Sequence, residues 1–139
     1  MSQIGLPRDY RFAIKNETGI ALSAGDVTIT RRGTKLDATG ILTFEASAAT
    51  AFSSTSGLAD AGYDPGSAQD NSSDLFLGGD FLLQAFASGG ASGNVTALLE
   101  VSPDGGTTFP TSSPGGGRVA VIPFTSSLAS STLRMAFEL

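Results

Sequence analysis

Alternating apolar and polar residues recur along the chain and predict short β-strands. Tyr10, Phe12 and Ile14 alternate with Arg11 and other small or polar residues, a period of two that is typical of a half-buried strand. The same period, or a short apolar run, occurs at residues 27–30, 41–46, 75–77, 81–86, 95–101, 118–124 and 133–139. No window has sustained helical spacing. The pattern therefore predicts an all-β protein.

The spacing of the strands indicates one antiparallel domain. Glycine-rich turns separate about seven or eight predicted strands, which favours an antiparallel β-sandwich or barrel. A length of 139 residues fits a single domain, so we assign residues 1–139 to one β-sandwich domain. Within the strand at 41–46, we expect Leu42 and Phe44 to point inward.

Residues 47–74 have a different composition, rich in Ala, Ser, Gly and Asp. A structureless stretch of this length is uncommon inside a compact domain and is usually functional or disordered. We expect an extended loop or arm that orders against a neighbouring subunit, the alternative being simple mobility. Its aromatic residues Phe52 and Tyr63 are candidate subunit contacts.

The composition argues against catalysis. The chain has no cysteine and no histidine, which excludes disulfides and thiolate chemistry and removes the commonest general base and metal ligand. The serines have no histidine to activate them, and no G-x-S-x-G motif occurs. We therefore expect a protein that is not an enzyme and needs no cofactor or metal.

The acidic residues allow two weaker interpretations, a glycosidase site and a calcium site. A glycosidase needs two carboxylates flanking one bond, yet Glu45 and Glu100 are the only mid-strand acids of the central region, and we expect them on a solvated face. Four aspartates in the 47–74 segment invite comparison with a calcium loop: Asp60, Asp64, Asp70 and Asp74. Their spacing does not match an EF-hand, so ordinary loop solubility explains them better.

Charge is distributed unevenly along the chain. The net charge of −5 argues against nucleic-acid binding. Residues 1–35 carry six of the eight basic groups, whereas residues 36–117 carry nine acidic groups and no basic one. We predict that a basic turn formed by Arg31, Arg32 and Lys35 contacts the acidic region of a neighbouring copy. The open alternative is that the basic and the acidic region face each other inside one fold.

No targeting or membrane signal is apparent. The first residues lack the charged-then-apolar pattern of a signal peptide, and no apolar run approaches the roughly 20 residues that span a bilayer. We expect a protein made in the cytoplasm with no membrane partner.

One local motif has a specific physical interpretation. Ser102, Asp104, Gly106, Thr108 and Phe109 fit the Asp-box pattern S-x-D-x-G-x-T-W, with phenylalanine in place of tryptophan. The Asp104 carboxylate is suited to accept turn amides, and the glycine pair is suited to positive φ. Phe109 is expected to pack back on the sheet. We therefore predict a tight structural hairpin turn without chemistry of its own.

Three segments together resemble the small virion proteins of tailed bacteriophages: residues 94–110, 117–123 and 133–139. The sequences of such proteins contain, in this order, a strand, a turn with the pattern S-x-DGG-T-T-W-P, a second strand and a final strand that ends in Phe-Glu-Leu. This chain departs from the pattern at Phe109. The resemblance implies a β-sandwich in many copies within the virion, a homo-oligomer that contacts itself and other virion proteins. It does not distinguish head decoration, neck, tail or baseplate.

A second function class also stays open. A β-sandwich module that binds carbohydrates or cell surfaces usually offers exposed aromatic platforms. Tyr10, Tyr63 and Phe52 are the candidates here, and the absence of tryptophan weakens this alternative.

Overall fold

The computed structural model describes residues 6–54, 57–109, 117–125 and 131–139, with only the backbone of Ser131. These parts contain ten β-strands: β1 (Asp9–Glu17), β2 (Val27–Leu36), β3 (Leu42–Phe44), β4 (Ala49–Ser53), β5 (Tyr63–Pro65), β6 (Gln69–Asp70), β7 (Gly78–Ala87), β8 (Gly93–Val101), β9 (Gly117–Phe124) and β10 (Ser131–Glu138).

The strands form two antiparallel sheets that pack face to face. The first has the order β5-β1-β8-β9, with β6 also pairing with β1. The second has the order β10-β7-β2-β3, with β4 also pairing with β2. This arrangement confirms the predicted all-β class and resolves it as a sandwich. The number of described strands, ten, exceeds the predicted seven or eight because β4, β5 and β6 lie in the segment predicted to be an arm.

An aromatic cluster joins the two sheets at the centre of the core. Phe12 of β1 lies edge-on to Phe81 of β7, with ring centroids 5.3 Å apart. Phe81 stacks on Phe137 of β10 at 5.2 Å. Phe12 and Phe81 are almost completely buried, as the alternation in β1 and the apolar run in β7 predicted. Burial of such rings is a main source of sandwich stability.

The prediction of an extended loop or arm at residues 47–74 is wrong. Strand β4 pairs with β2, and β5 and β6 both pair with β1, so the segment is built into its own domain. Phe52 is 4% exposed and belongs to the core, which excludes it as a subunit contact in this structure. The segment is ordered because backbone pairing and two apolar anchors, Phe52 and Leu58, offset the entropy of fixing the chain.

A buried amide fastens the same segment to β1. The Nδ2 of Asn16 donates to the carbonyls of Leu58 at 3.0 Å and Ala59 at 3.2 Å. Its Oδ1 accepts hydrogen bonds from the backbone and hydroxyl of Thr18. Asn16 is fully buried, so these bonds are needed to offset desolvation of the amide. The loop before β5 is thus held by polar contacts that hydrophobic patterning does not register.

Two expectations about β2 and β3 are also corrected. Leu42 and Phe44 point outward and are 53% and 54% exposed, because alternation fixes the period of a strand and not which face is buried. The predicted basic turn lies within β2, which extends as far as Leu36 and forms a hairpin with β3.

Candidate functional site

The Asp-box-like turn has the predicted internal chemistry. Asp104 Oδ1 accepts a hydrogen bond from the Thr108 backbone N–H at 2.7 Å and another from the Ser102 hydroxyl at 2.8 Å. The Gly106 N–H donates to Ser102 Oγ at 2.8 Å, and Gly106 has a φ of 85°. Hydrogen bonds from Thr108, followed by that from Ser102, lower the pKa of Asp104 to about 2. These contacts confirm a turn whose polar groups serve its own geometry.

The connection that contains this turn is longer than the predicted tight hairpin. Strand β8 ends at Val101 and β9 begins at Gly117. Phe109 packs back on the first sheet as predicted, and it is 7% exposed. Its ring lies 4.3 Å from the Arg11 guanidinium carbon, a cation–π distance. The turn therefore covers the outer face of β1.

Beneath Phe109, Arg11 and Glu100 form an ion pair across β1 and β8. Arg11 Nε donates to Glu100 Oε2 at 2.6 Å, and the Tyr63 hydroxyl donates to Glu100 Oε1. The Glu100 side chain has no exposed surface and that of Arg11 is 16% exposed. The expected solvated face is therefore wrong for Glu100. The tip of Tyr63 is engaged inside the chain, which argues against its predicted role as a subunit contact.

Burial, followed by the hydrogen bond to Glu100, raises the pKa of Tyr63 to about 12. A phenol held neutral in this way is a hydrogen-bond donor to the carboxylate and is not a general base at neutral pH. Each Glu100 carboxylate oxygen accepts a hydrogen bond, and the side chain has no exposed surface. We interpret this cluster as structural.

The second charged cluster lies at the base of the β2–β3 hairpin. Arg31 binds Glu45 through two hydrogen bonds, Nε to Oε2 at 3.2 Å and Nη2 to Oε1 at 2.9 Å. Its Nη1 donates to the Tyr10 hydroxyl at 3.2 Å. The Gly33 backbone N–H donates to Glu45 Oε2. Because Glu45 immediately follows β3, this paired geometry fastens the end of β3 to the middle of β2.

The ionisation of this cluster follows from its contacts. Burial opposes the charge of Glu45, but hydrogen bonds from Arg31 and Gly33 outweigh it and lower the pKa of the carboxyl. Burial likewise opposes the charge of Arg31, yet its bonds to Glu45 and Tyr10 raise the pKa of the guanidinium. Both groups are therefore charged near neutral pH, as an ion pair.

Glu45→Gln should lower the free energy of unfolding by about 1–3 kcal/mol at pH 7, because the charged acceptor of three hydrogen bonds is lost. The folded-state pKa of Glu45 is lowered, so its stabilisation is present above its unfolded pKa and is lost as pH falls through the folded value. Urea unfolding at pH 7 and at pH 3 measures both effects. The stability difference between variant and parent should shrink at pH 3, and an unchanged difference would contradict this role.

The other two basic residues of β2, Lys35 and Arg32, also have contacts within the domain. Lys35 Nζ lies 5.4 Å from the Phe76 ring centroid and 4.0 Å from Asp74 Oδ1. Arg32 is exposed and its Nε donates to the Glu45 backbone oxygen at 3.1 Å. For Arg31, the alternative that basic and acidic regions meet inside one fold is therefore the correct one, whereas Lys35 keeps a side chain that is 43% exposed. Arg32 stays available to a partner.

The outer face of the hairpin presents large apolar side chains to solvent. Leu36 and Leu42 lie directly opposite each other, and Phe44 lies one pair further along on the same face. They are 53%, 53% and 54% exposed, and we call these three residues the hairpin surface. Leu77, 45% exposed, lies beside β2, since its N–H donates to the Thr34 carbonyl at 2.8 Å. Hydrophobic patterning did not predict this surface, because it placed Leu42 and Phe44 on the inward face of β3.

A tight turn supports the hairpin surface. Asp37 Oδ1 accepts hydrogen bonds from the backbone N–H groups of Thr39 and Ile41 at 2.8 and 2.9 Å. Hydrogen bonding, above all from the Thr39 side chain, lowers the pKa of Asp37. The apolar residues are therefore presented on a defined hairpin, not on a loose loop.

The four aspartates weighed as a calcium site do not converge. Asp60 accepts from the Gly19 N–H at 2.8 Å, Asp70 from the Ser72 N–H at 2.7 Å, and Asp74 lies near Lys35. No group of three or more acidic side chains placed to bind a metal ion occurs within the described residues. Those residues likewise include no helix with the length and apolar character needed to cross a membrane.

Comparison with known protein families, curated proteins and solved structures gives no match to this chain.

Proposed function

We propose that this protein is a non-enzymatic structural component of a tailed-phage virion, present in many copies and working through contacts between subunits. The observation that supports this proposal is the hairpin surface, where Leu36, Leu42 and Phe44 lie together and are about half exposed. Contiguous apolar surface of this kind typically marks an interaction site. The last third of the chain resembles small virion proteins, and this resemblance supports a contact made within the phage particle.

The distribution of charge fits the same proposal. Arg11, Glu100, Arg31 and Glu45 are engaged in ion pairs within the domain. Arg32 remains exposed beside the hairpin surface, with its guanidinium carbon 5.7 Å from the Phe44 ring centroid. An apolar centre with a charged residue at its margin has the composition of a protein–protein contact. The partners we propose are further copies of the chain and other virion proteins.

The alternative of a carbohydrate-binding module has less support. Tyr10 and Phe52 are buried, and the Tyr63 hydroxyl is bonded to Glu100. The aromatic residues considered as sugar platforms are thus used within the domain. Phe44 is an exposed aromatic, but its neighbours Leu36 and Leu42 are aliphatic, which favours a protein partner.

A double substitution tests the proposed function. Leu42→Ser/Phe44→Ser should weaken, by at least tenfold, both self-assembly and binding to purified particles of the phage whose genome encodes the chain. The reason is the loss of apolar area from the contact, roughly 25 cal/mol for each Å² buried. Analytical ultracentrifugation and co-sedimentation with the particles measure the two effects.

Val101→Ser is the matched control, because Val101 is an exposed apolar strand residue of the other sheet, 38% exposed. It should leave assembly unchanged, and both variants should keep the parent circular dichroism spectrum. Normal assembly of the double variant would contradict the proposal. So would a parent protein that stays monomeric, ignores the particles and binds glycans.

A further inference from the structure

Strand β10 is an edge of the second sheet. Among the described residues it is hydrogen-bonded along one side only, to β7. It is eight residues long and contains no proline. Its inward side chains Leu133, Met135 and Phe137 pack on the core yet stay partly exposed. A long edge strand with these properties is a template for pairing with another strand.

The pairing of β10 with β7 determines which backbone groups face outward. Leu139 and Gly79 exchange both of their backbone hydrogen bonds, at 3.2 and 3.3 Å. In an antiparallel pair such bonded positions alternate along the strand, so the odd-numbered residues of β10 bond to β7. The N–H and C=O groups of the even-numbered residues, from Thr132 to Glu138, therefore point away from the sheet.

Within the described parts of the chain, the charged side chains on this edge form no ion pair with an opposite charge. Glu138 lies directly opposite Asp80, an unfavourable pairing of like charges, and no ion pair to Glu138 occurs in the described parts of the chain. Arg134 is exposed, and Gln84, a neutral group, accepts a hydrogen bond from its Nε at 2.8 Å. The edge thus presents one cation and one anion on the same face, with Ala136 midway between them.

We infer that β10 pairs antiparallel with β10 of a second copy, about a two-fold axis at Ala136. In this register each Arg134 lies opposite Glu138 of the other copy, and the outward backbone groups of the even-numbered residues bond to one another. Shifting the register by two residues in either direction puts Ala136 opposite Arg134 or opposite Glu138, so the ion pair is lost, and a shift of four brings two like charges together. The charges therefore select a register, and the two second sheets join into one continuous sheet.

This contact rests on the proposed function of a many-copy protein, since it names the chain itself as the partner. It is a different surface from the hairpin surface, which lies at the opposite edge of the same sheet. The two contacts together would give each subunit two separate ways of joining its neighbours, as a ring or lattice requires.

A single introduced cysteine tests the register, because the chain has no cysteine of its own. In the inferred pairing the two Ala136 Cα atoms are about 5.5 Å apart, within the range that a disulfide spans. Ala136→Cys should therefore form a disulfide-linked dimer under mild oxidation. Thr132→Cys is the matched control: it is also an outward-facing edge position, but in this register the two Thr132 residues are eight strand positions apart, roughly 27 Å, too far for a disulfide. Equal cross-linking of both variants, or none in Ala136→Cys, would overturn the inference.

Charge reversal tests the pairing without a covalent link. Arg134→Glu and Glu138→Arg should each weaken dimerisation by at least tenfold in sedimentation equilibrium, and the double variant should restore it. Single variants that dimerise as the parent does would overturn the inference.

The edge contact and the proposed function can fail separately. Ala136→Cys combined with Leu42→Ser/Phe44→Ser should still give the disulfide-linked dimer, because the hairpin surface takes no part in the edge pairing. A cross-link without particle binding by the parent protein therefore counts against the proposed function alone. Particle binding without a cross-link in Ala136→Cys counts against the edge contact alone.

Discussion

Arg11→Met should lower the free energy of unfolding by about 3–5 kcal/mol, because it leaves the Glu100 carboxylate buried without its cation. The Glu100 side chain has no exposed surface in the parent protein. Tyr63 still donates one hydrogen bond to it, but a neutral donor does not balance the charge. Methionine fills much of the space under Phe109, so the loss measured by urea unfolding at pH 7 is chiefly electrostatic.

The double variant Arg11→Met/Glu100→Gln separates the buried charge from lost packing. Glutamine keeps an acceptor for the Tyr63 hydroxyl and removes the unpaired charge. It should recover at least half of the stability lost in the single variant, since a buried ion pair replaced on both sides costs far less than one broken on one side. A double variant that is less stable than Arg11→Met would show that packing under Phe109, and not the charge, dominates.

Sequence patterning predicted the long strands whose residues alternate. Strands β1, β8 and β10 carry alternating residues, and all three lie where the alternation placed them. Strands β4, β5 and β6 are five, three and two residues long, too short for a period to be recognised. They are specified by backbone pairing with β1 and β2, a long-range property that composition does not encode. The prediction for the 47–74 segment was wrong for this reason.

The candidate site was only partly predictable for a related reason. The internal bonds of the Asp-box-like turn follow from neighbouring residues, and the sequence sufficed. The Arg31–Glu45 and Arg11–Glu100 pairs join residues that are 14 and 89 positions apart in the chain, so only the strand register brings them together. The hairpin surface was missed because the alternation of β3 is satisfied by either face.

Phe76→Ala should also lower the free energy of unfolding by about 3–5 kcal/mol. Phe76 is 4% exposed, and its backbone N–H and C=O are both bonded to the side chain of Asn71, at 2.8 and 2.9 Å. Its ring lies beside the Arg31 guanidinium, 4.8 Å from centroid to carbon. The substitution removes a core ring and a cation–π contact together, and thermal or urea unfolding measures the cost.

Phe86→Ala is the matched control, because it makes the same change in a β7 residue that is 37% exposed. It should cost about 1 kcal/mol or less, and equal costs would contradict the assignment of Phe76 to the core.

The Phe76 ring packs directly against the backbone of Gly33. A Cβ built on Gly33 would lie 2.5 Å from Phe76 Cδ1, so the ring occupies the space where any other residue would place its side chain. Gly33→Ala should therefore cost about 1–3 kcal/mol in the parent protein by overpacking. In the Phe76→Ala background the same change should cost much less, because the cavity accepts the methyl group and the two substitutions couple. Additive costs would mean that the cost of Gly33→Ala does not arise from its contact with the Phe76 ring.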